Sequence, residues 1–330
     1  MIDLYDDVHE WLVQEIVLPL FYQLGWMNFS EESVLVVDWV LFGVLQIIVI
    51  AFILRPLEKK EIAHLASHRM DHVNWSGVHQ AHIRTDIFYS FLHRLGIYQF
   101  FFFYTFSGFF FWLGSHLHDI GFDHWNVEEL IPGVTSIPFV SFCIYLVLFD
   151  LLDYVYHRLS HRFTWWWQLH ALHHSQQHLS VWSDDRNHLI DSLMRSMVFA
   201  IFALWIGVEP SQFLLLVLFS QLVQSWQHGF YPNDLGVLNY LIVTPQFHRY
   251  HHAMGLGYEL PGRPGVLGGC NFGVLFPWWD IVLGTAVFKT EYYPSGVQDF
   301  DPPSSFIAQQ WLCLKRSWNV LKNFNQARAR

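Results

Sequence analysis

VTSIPFVSFCIYLVLFDLLDYVYHRLSH (134–161) is the stretch that decides the fold. Residues 134–156 are almost wholly apolar, and a helix needs about 20 such residues to cross the hydrocarbon core of a bilayer. The run does not end in a loop. It passes without a break into His157-Arg-Leu-Ser-His161, an HxxxH at the end of a membrane span. Asp150 and Asp153 lie inside it, and a carboxylate in such a place is expensive.

The same length test finds further spans on either side. Residues 34–54 qualify, with Asp38 as the one polar intrusion, and so do residues 97–115 (IYQFFFFYTFSGFFFWLGS). Residues 193–227 are apolar but interrupted by Gly207-Val208-Glu209-Pro210, which predicts two helices joined by a tight turn, a hairpin in the membrane. Residues 11–25 read as an interfacial helix or a short buried one.

Composition agrees. Of 330 residues, 53% are hydrophobic and 14% charged, against about one quarter charged in soluble domains. The formal net charge of −10 argues against nucleic acid as a partner, which needs a basic footprint. Cys143, Cys270 and Cys313 are scattered and form neither a disulfide framework nor a thiolate metal site. The acidic start MIDLYDDVHEW is not a cleavable signal peptide.

Charge asymmetry gives an orientation. Residues 1–33 carry seven carboxylates and no Lys or Arg, and 116–133 has none either. All 18 Lys and Arg fall in 55–96, 157–195 and 249–330. Those stretches share one side if the spans alternate, and the positive-inside rule makes that side cytoplasmic. The C-terminus is then inside and the N-terminus opposite. The expected fold is all-α: a polytopic membrane bundle of about three to four spans plus a hairpin, with a cytosolic histidine-rich cap.

Three histidine clusters fall on that cytoplasmic side. They are His157/His161, then His170/His173/His174, then His248/His251/His252. The last two repeat one pattern, QxHxxHH, in 168–174 and 246–252. On a helix, positions i, i+3 and i+4 share a face, so each cluster aims its imidazoles at one point. Neutral imidazole binds iron, zinc and copper. One HxxxH alone is a common polar face, but eight imidazoles at span ends need a common explanation, because buried polar groups without partners are costly. His228 would make a ninth ligand and His188 a tenth. His64, His68 and His72 form either a further metal stripe or a solvated helix face. His79, His82 and His93 read as ordinary polar positions, and His116, His118 and His124 lie across the membrane. Asp153 is either a ligand or an acceptor orienting a ligand imidazole. Asp184 and Asp185 read as a solvated loop, and 253–270 as a Gly-rich loop that either shapes a substrate entrance or simply connects.

At these residues the chain resembles the fatty acid hydroxylase / sterol desaturase superfamily. The resemblance covers about residues 80–290 and rests on DYVYHRLSH (153–161), QLHALHHS (168–175), RNHLID (186–191), SWQHGF (225–230), TPQFHRYHH (244–252) and NFGVLFPWWDIVLGT (271–285). It implies a domain over 81–290, flanked by an N-terminal segment 1–80 and a tail 291–330. It further implies that His157, His161, His170, His173, His174, His248, His251 and His252 hold two metal ions, with His228 beside them. Leu189 stands where many members have Pro, which weakens the match at His188. Asp153, Asn271 and Asp280 are expected behind the ligands, as supports. The implied cofactor is a pair of iron ions, whose ligands also suit zinc, with dioxygen as co-substrate.

The implied reaction is hydroxylation of a lipid or sterol-like substrate drawn from the membrane. Desaturation or ether-lipid cleavage is the alternative on the same site. Trp165, Trp166, Trp167, Trp182 and Trp226 are either interfacial anchors or substrate contacts. No GxGxxG, haem domain or four-cysteine cluster is present, so electrons must come from a separate ferredoxin, cytochrome or reductase. A reading of another class is a non-catalytic metal-binding membrane protein or transporter. A transporter places ionisable groups along a path through its spans, whereas these histidines gather at one surface.

Overall fold

The computed structural model describes residues 10, 11, 14, 30–67, 81–122, 126–231, 235–255, 259–260, 263–289, 291 and 293–328. The interfacial helix expected over 11–25 lies almost wholly outside them, as do His68, His72, His79 and His124.

Eleven helices carry the described chain: α1 Ser30–Val49, α2 Arg55–Ser67, α3 Ala81–Arg94, α4 Ile97–Asp119, α5 Pro138–Arg162, α6 Thr164–His174, α7 Leu189–Ile206, α8 Pro210–His228, α9 Pro245–His251, α10 Trp278–Val282 and α11 Phe306–Arg328. A π-helical turn, Ile50–Leu54, joins α1 to α2. Among the described residues the only strands are a short antiparallel pair, β1 Glu259–Leu260 with β2 Arg263–Leu267, inside the segment expected to be loop.

Among the described residues, three helical stretches are long and apolar enough to cross a membrane: Asp38–Glu61, Pro138–Arg162 and Leu189–Ile206. Only 17% of the first and third is buried inside the protein, so their apolar side chains face outward, where a bilayer would cover them. The stretch 97–115, expected as a span, forms the 23-residue α4 with Phe101, Phe111 and Trp112 exposed, but it is not among those three. The expected hairpin is α7–α8. Gly207 ends α7 in the left-handed region (φ 66°), and Pro210 opens α8, each at the end its backbone suits.

Local sequence also sets the turns near the histidines. Pro138 opens α5, and extended backbone at Phe163 ends it and redirects the chain into α6. Pro245 opens α9, with Thr244 Oγ1 accepting from the Phe247 amide. The core has two main parts. Phe149 of α5 packs against Phe199 and Phe202 of α7 and Phe213 of α8. Tyr89, Trp167, Leu172 and Cys313 join α3, α6 and α11. The C-terminal segment is therefore a docked helix rather than a free tail: Arg316 Nε donates to Gln168 Oε1 at 2.8 Å, and Ser317 Oγ to the Trp165 carbonyl at 2.8 Å.

Candidate metal centre

α5, α6, α8 and α9 bring nine imidazoles together. His157, His161, His170 and His174 offer ring nitrogens that all lie within 4.8 Å of one another, and so do His173, His228, His248 and His252. A third set, His174, His251 and His252, links the two. The His251 ring centroid lies 4.4 Å from His157 and 4.7 Å from His161 and His174, which places it with the first group. The two groups thus hold five and four imidazoles, all buried. The HxxHH spacing explains the division. On α6, His170 and His174 lie one turn apart and face the first group, while His173 turns to the second.

The nitrogens fit metal ions. His228 Nδ1 donates to the Gln224 carbonyl at 2.8 Å, so in the neutral ring Nε2 is a lone pair only. That lone pair has His173 Nε2 at 3.3 Å and His248 Nε2 at 3.0 Å, and His252 Nε2 lies 3.1 Å from His248 Nε2. One lone pair does not satisfy two N–H donors well. A shared ion satisfies all four: with metal–nitrogen bonds of about 2.1 Å, neighbouring ligand atoms sit about 3.0–3.4 Å apart. In the first group, His157 Nε2, His170 Nε2 and His251 Nε2 are buried without a hydrogen-bond partner, as are both nitrogens of His161 and of His174. So many buried orphans in one place call for an unseen partner.

Outward hydrogen bonds set the tautomers. His157 Nδ1 donates to the Phe272 carbonyl at 2.9 Å, His251 Nδ1 to the Cys270 carbonyl at 2.7 Å, and His170 Nδ1 to Asp191 Oδ2 at 2.9 Å. Each leaves Nε2 free to point inward, the usual arrangement behind metal-binding histidine. Burial pushes His173, His174, His248 and His252 well below the usual imidazole range, and neighbouring imidazoles push the same way. Burial takes His251 down to about 3. All five are therefore neutral at physiological pH, the form that binds metal.

The supporting residues are partly those expected. Asp280 accepts from the Phe272 amide at 2.9 Å, the Gly273 amide at 2.6 Å and Thr285 Oγ1 at 2.6 Å. Asn271, at φ 57°, donates to the Phe247 and Val287 carbonyls and accepts from the Val287 amide. Together they fix the loop whose carbonyls hold His157 and His251. Asp153 does not orient an imidazole. It faces α7 and pairs with Arg195, whose Nε donates to Oδ1 at 2.8 Å. The carboxylate that does orient one is Asp191, which also accepts from Tyr156 Oη at 2.6 Å and Trp166 Nε1 at 2.8 Å. It closes the RNHLID string (186–191), three residues after His188. Asp150 instead holds the closing string, accepting from the Leu275 amide at 2.7 Å and Trp279 Nε1 at 2.9 Å.

His188 stands apart from both groups. Its Nδ1 accepts from the Ile190 amide at 3.1 Å, capping α7, and its Nε2 donates to the Gln310 carbonyl at 2.9 Å. Neither nitrogen is left for an ion. His93 is buried beside Tyr98, and His116 and His118 are exposed at the end of α4; none belongs to either group. Asp184 and Asp185 are buried rather than solvated, both paired with Arg94 of α3. Burial and the neighbouring Asp185 carboxylate push Asp184 above the usual carboxylate range, against the pull of Arg94. A cavity of about 70 Å³ opens beneath the imidazoles, bounded by His157, His170, His173, His228 and His248 with Tyr156, Asp191 and Arg195. No tryptophan lines it; Trp167 instead packs on His161 and His174.

Geometry alone defines a helical protein with paired histidine groups suited to metal ions. Residues 142–285 match the family model described as fatty acid hydroxylase. Over 140 residues the chain is 31% identical to an ornithine lipid hydroxylase of Rhizobium tropici, covering 42% of this chain and 40% of that one. It is 29% identical over 167 residues to an alkylglycerol monooxygenase of Xenopus tropicalis (51% and 35%), and 28% identical over 164 residues to one of Homo sapiens (46% and 33%). The chain thus spans well under half the length of these relatives. No solved structure matches it.

Proposed function

We propose that this protein is a membrane oxygenase that hydroxylates a lipid with dioxygen, using two iron ions held by the nine clustered histidines and electrons from a separate donor. The observation that carries this is the division of nine buried imidazoles into two adjoining groups with their lone pairs turned inward. Iron bound there would supply activation of dioxygen against an unactivated C–H bond. The protein's own residues do the rest. Phe272, Cys270, Gln224 and Asp191 hold the Nδ1 protons of four imidazoles outward. The buried setting keeps the site from bulk water, and the cavity of about 70 Å³ admits dioxygen and the reacting part of a chain rather than a whole lipid.

The catalytic unit spans about 81–290, with the cluster and the C-terminus on the cytoplasmic side and the N-terminus opposite. The charge distribution along the chain supports this placement. The ferredoxin, cytochrome or reductase that delivers electrons would meet the same side. A lipid substrate fits the hydroxylase and monooxygenase relatives. The alkylglycerol monooxygenases favour a second reading, cleavage of an ether lipid on the same site.

The test is comparative lipidomics of cells expressing the wild type or His173→Ala, with iron content measured on the purified proteins. About two irons per chain, and a lipid that gains one oxygen or loses an alkyl group only with the intact cluster, are expected. Tightly bound zinc, with no dioxygen uptake under reducing conditions, would show a non-catalytic metal protein instead.

A further inference from the structure

Two cavities lie end to end along α5, and the side chains they share are polar. The upper one is the cavity beneath the imidazoles. The lower one, of about 40 Å³, sits among apolar side chains such as Phe149, Phe199, Phe213 and Leu216 of α5, α7 and α8. Asp153, Arg195 and Gln224 bound both. Asp153 lies one helical turn before His157 on α5, so the neck between the cavities is about 6 Å along the helix from the first metal group.

An ion pair between two candidate membrane spans is an expensive way to fill space. Its desolvation often exceeds its attraction, and apolar side chains of like volume would pack at least as well. The arrangement of Arg195 suggests why it is there. Nε and Nη2 donate to Asp153, and the guanidinium rests on the Phe199 ring with Cζ 4.4 Å from its centroid. Asp153 and Phe199 thereby hold the fork in one orientation. Nη1 has no partner among the described residues, and 39% of the side chain remains accessible. A fixed donor thus stands where an apolar slot meets the metal cavity.

We propose that Arg195 receives a neutral oxygen of the lipid substrate, a hydroxyl, ether or ester oxygen, at this neck. The part of the alkyl chain beside the oxygen enters the lower cavity, and a carbon next to the oxygen faces the histidines. Asp153 already balances the guanidinium charge and occupies two of its donors. The neck therefore selects a neutral acceptor over a free carboxylate, which needs both faces of the fork and an unbalanced positive charge. Arg195 is then a positioning residue that sets which carbon is oxidised. The inference rests on the lipid-oxygenase reading for its purpose but not for its test.

The test is binding, measured on the full chain in mixed micelles by scintillation proximity with tritiated 1-O-hexadecylglycerol, palmitate and hexadecane. The wild type should bind the alkylglycerol at least tenfold more tightly than either of the others. Arg195→Met should erase that preference at unchanged metal content, and Arg195→Lys should keep part of it. Because Arg195→Met leaves Asp153 unpaired, the double variant Asp153→Asn/Arg195→Met serves where the single one fails to fold, and it too should lose the preference. Equal binding of all three probes by the wild type, tighter binding of palmitate, or a preference that survives loss of Arg195 would each overturn the proposal. Selective binding with no dioxygen-dependent product would leave it standing and count against the oxygenase reading alone.

Discussion

His157 and Phe272 lie 115 positions apart and meet through one hydrogen bond, the imidazole Nδ1 donating to the backbone carbonyl at 2.9 Å. The carbonyl is held in place because Asp280 accepts from the amide of the same residue. A histidine at the end of α5 is thus aimed by an aspartate that touches no imidazole. Asp280→Ala leaves two amides and the Thr285 hydroxyl without their acceptor. We expect a loss of about 2–3 kcal/mol in stability and roughly tenfold weaker metal binding. Thermal melting and metal titration of the purified protein check both; unchanged metal affinity would separate the closing string from the site.

Asp191 acts directly, through His170 Nδ1. Asp191→Ala removes that acceptor and frees the ring to rotate or change tautomer. Metal affinity should fall about 10- to 100-fold, with the loss concentrated in the ion of the first group. Asp191→Asn keeps an acceptor and should fall less. Metal-to-protein ratios after dialysis against graded chelator distinguish the two variants.

How much of this was legible beforehand follows from the range of the forces involved. The hairpin of α7 and α8 was readable from Gly207 and Pro210, because helix ends obey local backbone rules. The convergence of His157, His170, His174 and their partners was readable because helical spacing fixes which side chains share a face. What Asp153 and Asp191 bind was not. Both are single carboxylates whose partners lie 42 and 21 positions away, and only the packing of α5 and α6 against α7 decides that one meets Arg195 and the other His170. The burial of Asp184 and Asp185 is hidden for the same reason. A polar loop reads as solvated until the guanidinium of Arg94, 90 positions earlier, is seen to enter it.

His188 provides a contrast within the same sequence motif. Both its nitrogens are committed, one to the Ile190 amide and one to the Gln310 carbonyl. His188→Ala should leave metal content at the wild-type level. It should lower stability by about 1–2 kcal/mol, through loss of the α7 cap and of a tie to α11. His248→Ala, by comparison, should remove about one ion per chain. Parallel metal analysis and melting of the two variants check this; loss of metal in the first would return His188 to the ligand set.

Acid should act on the cluster through linkage. His173, His174, His248, His251 and His252 have folded values depressed by burial, whereas unfolded imidazoles take up protons near pH 6.5. Below that pH the unfolded state binds more protons, so stability falls as pH falls. The window runs from about 6.5 down to the folded values, which for His251 is about 3. Metal ions compete with the same protons and should leave over the upper part of it. Melting temperature and metal retention between pH 7.5 and 5 should decline together, and more steeply than in a variant lacking three of the five histidines. A flat profile would contradict neutral, metal-binding imidazoles.

Gly43 tests whether the N-terminal helices support the site or merely precede it. A Cβ there would overlap the backbone carbonyl of Arg94, so α1 and α3 approach closely only because residue 43 has no side chain. Arg94 in turn donates to Gln46 Oε1 at 2.9 Å and to both Asp184 and Asp185, and Asp184 Oδ1 lies 3.7 Å from His228 Nδ1. Gly43→Ala therefore pushes directly on the network behind a candidate ligand. Overpacking of this kind costs about 1–3 kcal/mol, and the melting temperature should drop accordingly. If the strain reaches His228, the ion held by His173, His228, His248 and His252 should be released at lower chelator concentration than in the wild type, while the first group keeps its own. Gly108→Ala, on α4 with open space around it, should leave metal release unchanged and should not lower the melting temperature, because alanine suits a helix interior better than glycine. Equal behaviour of the two variants would mean that residues before α3 carry no part of the metal centre's geometry.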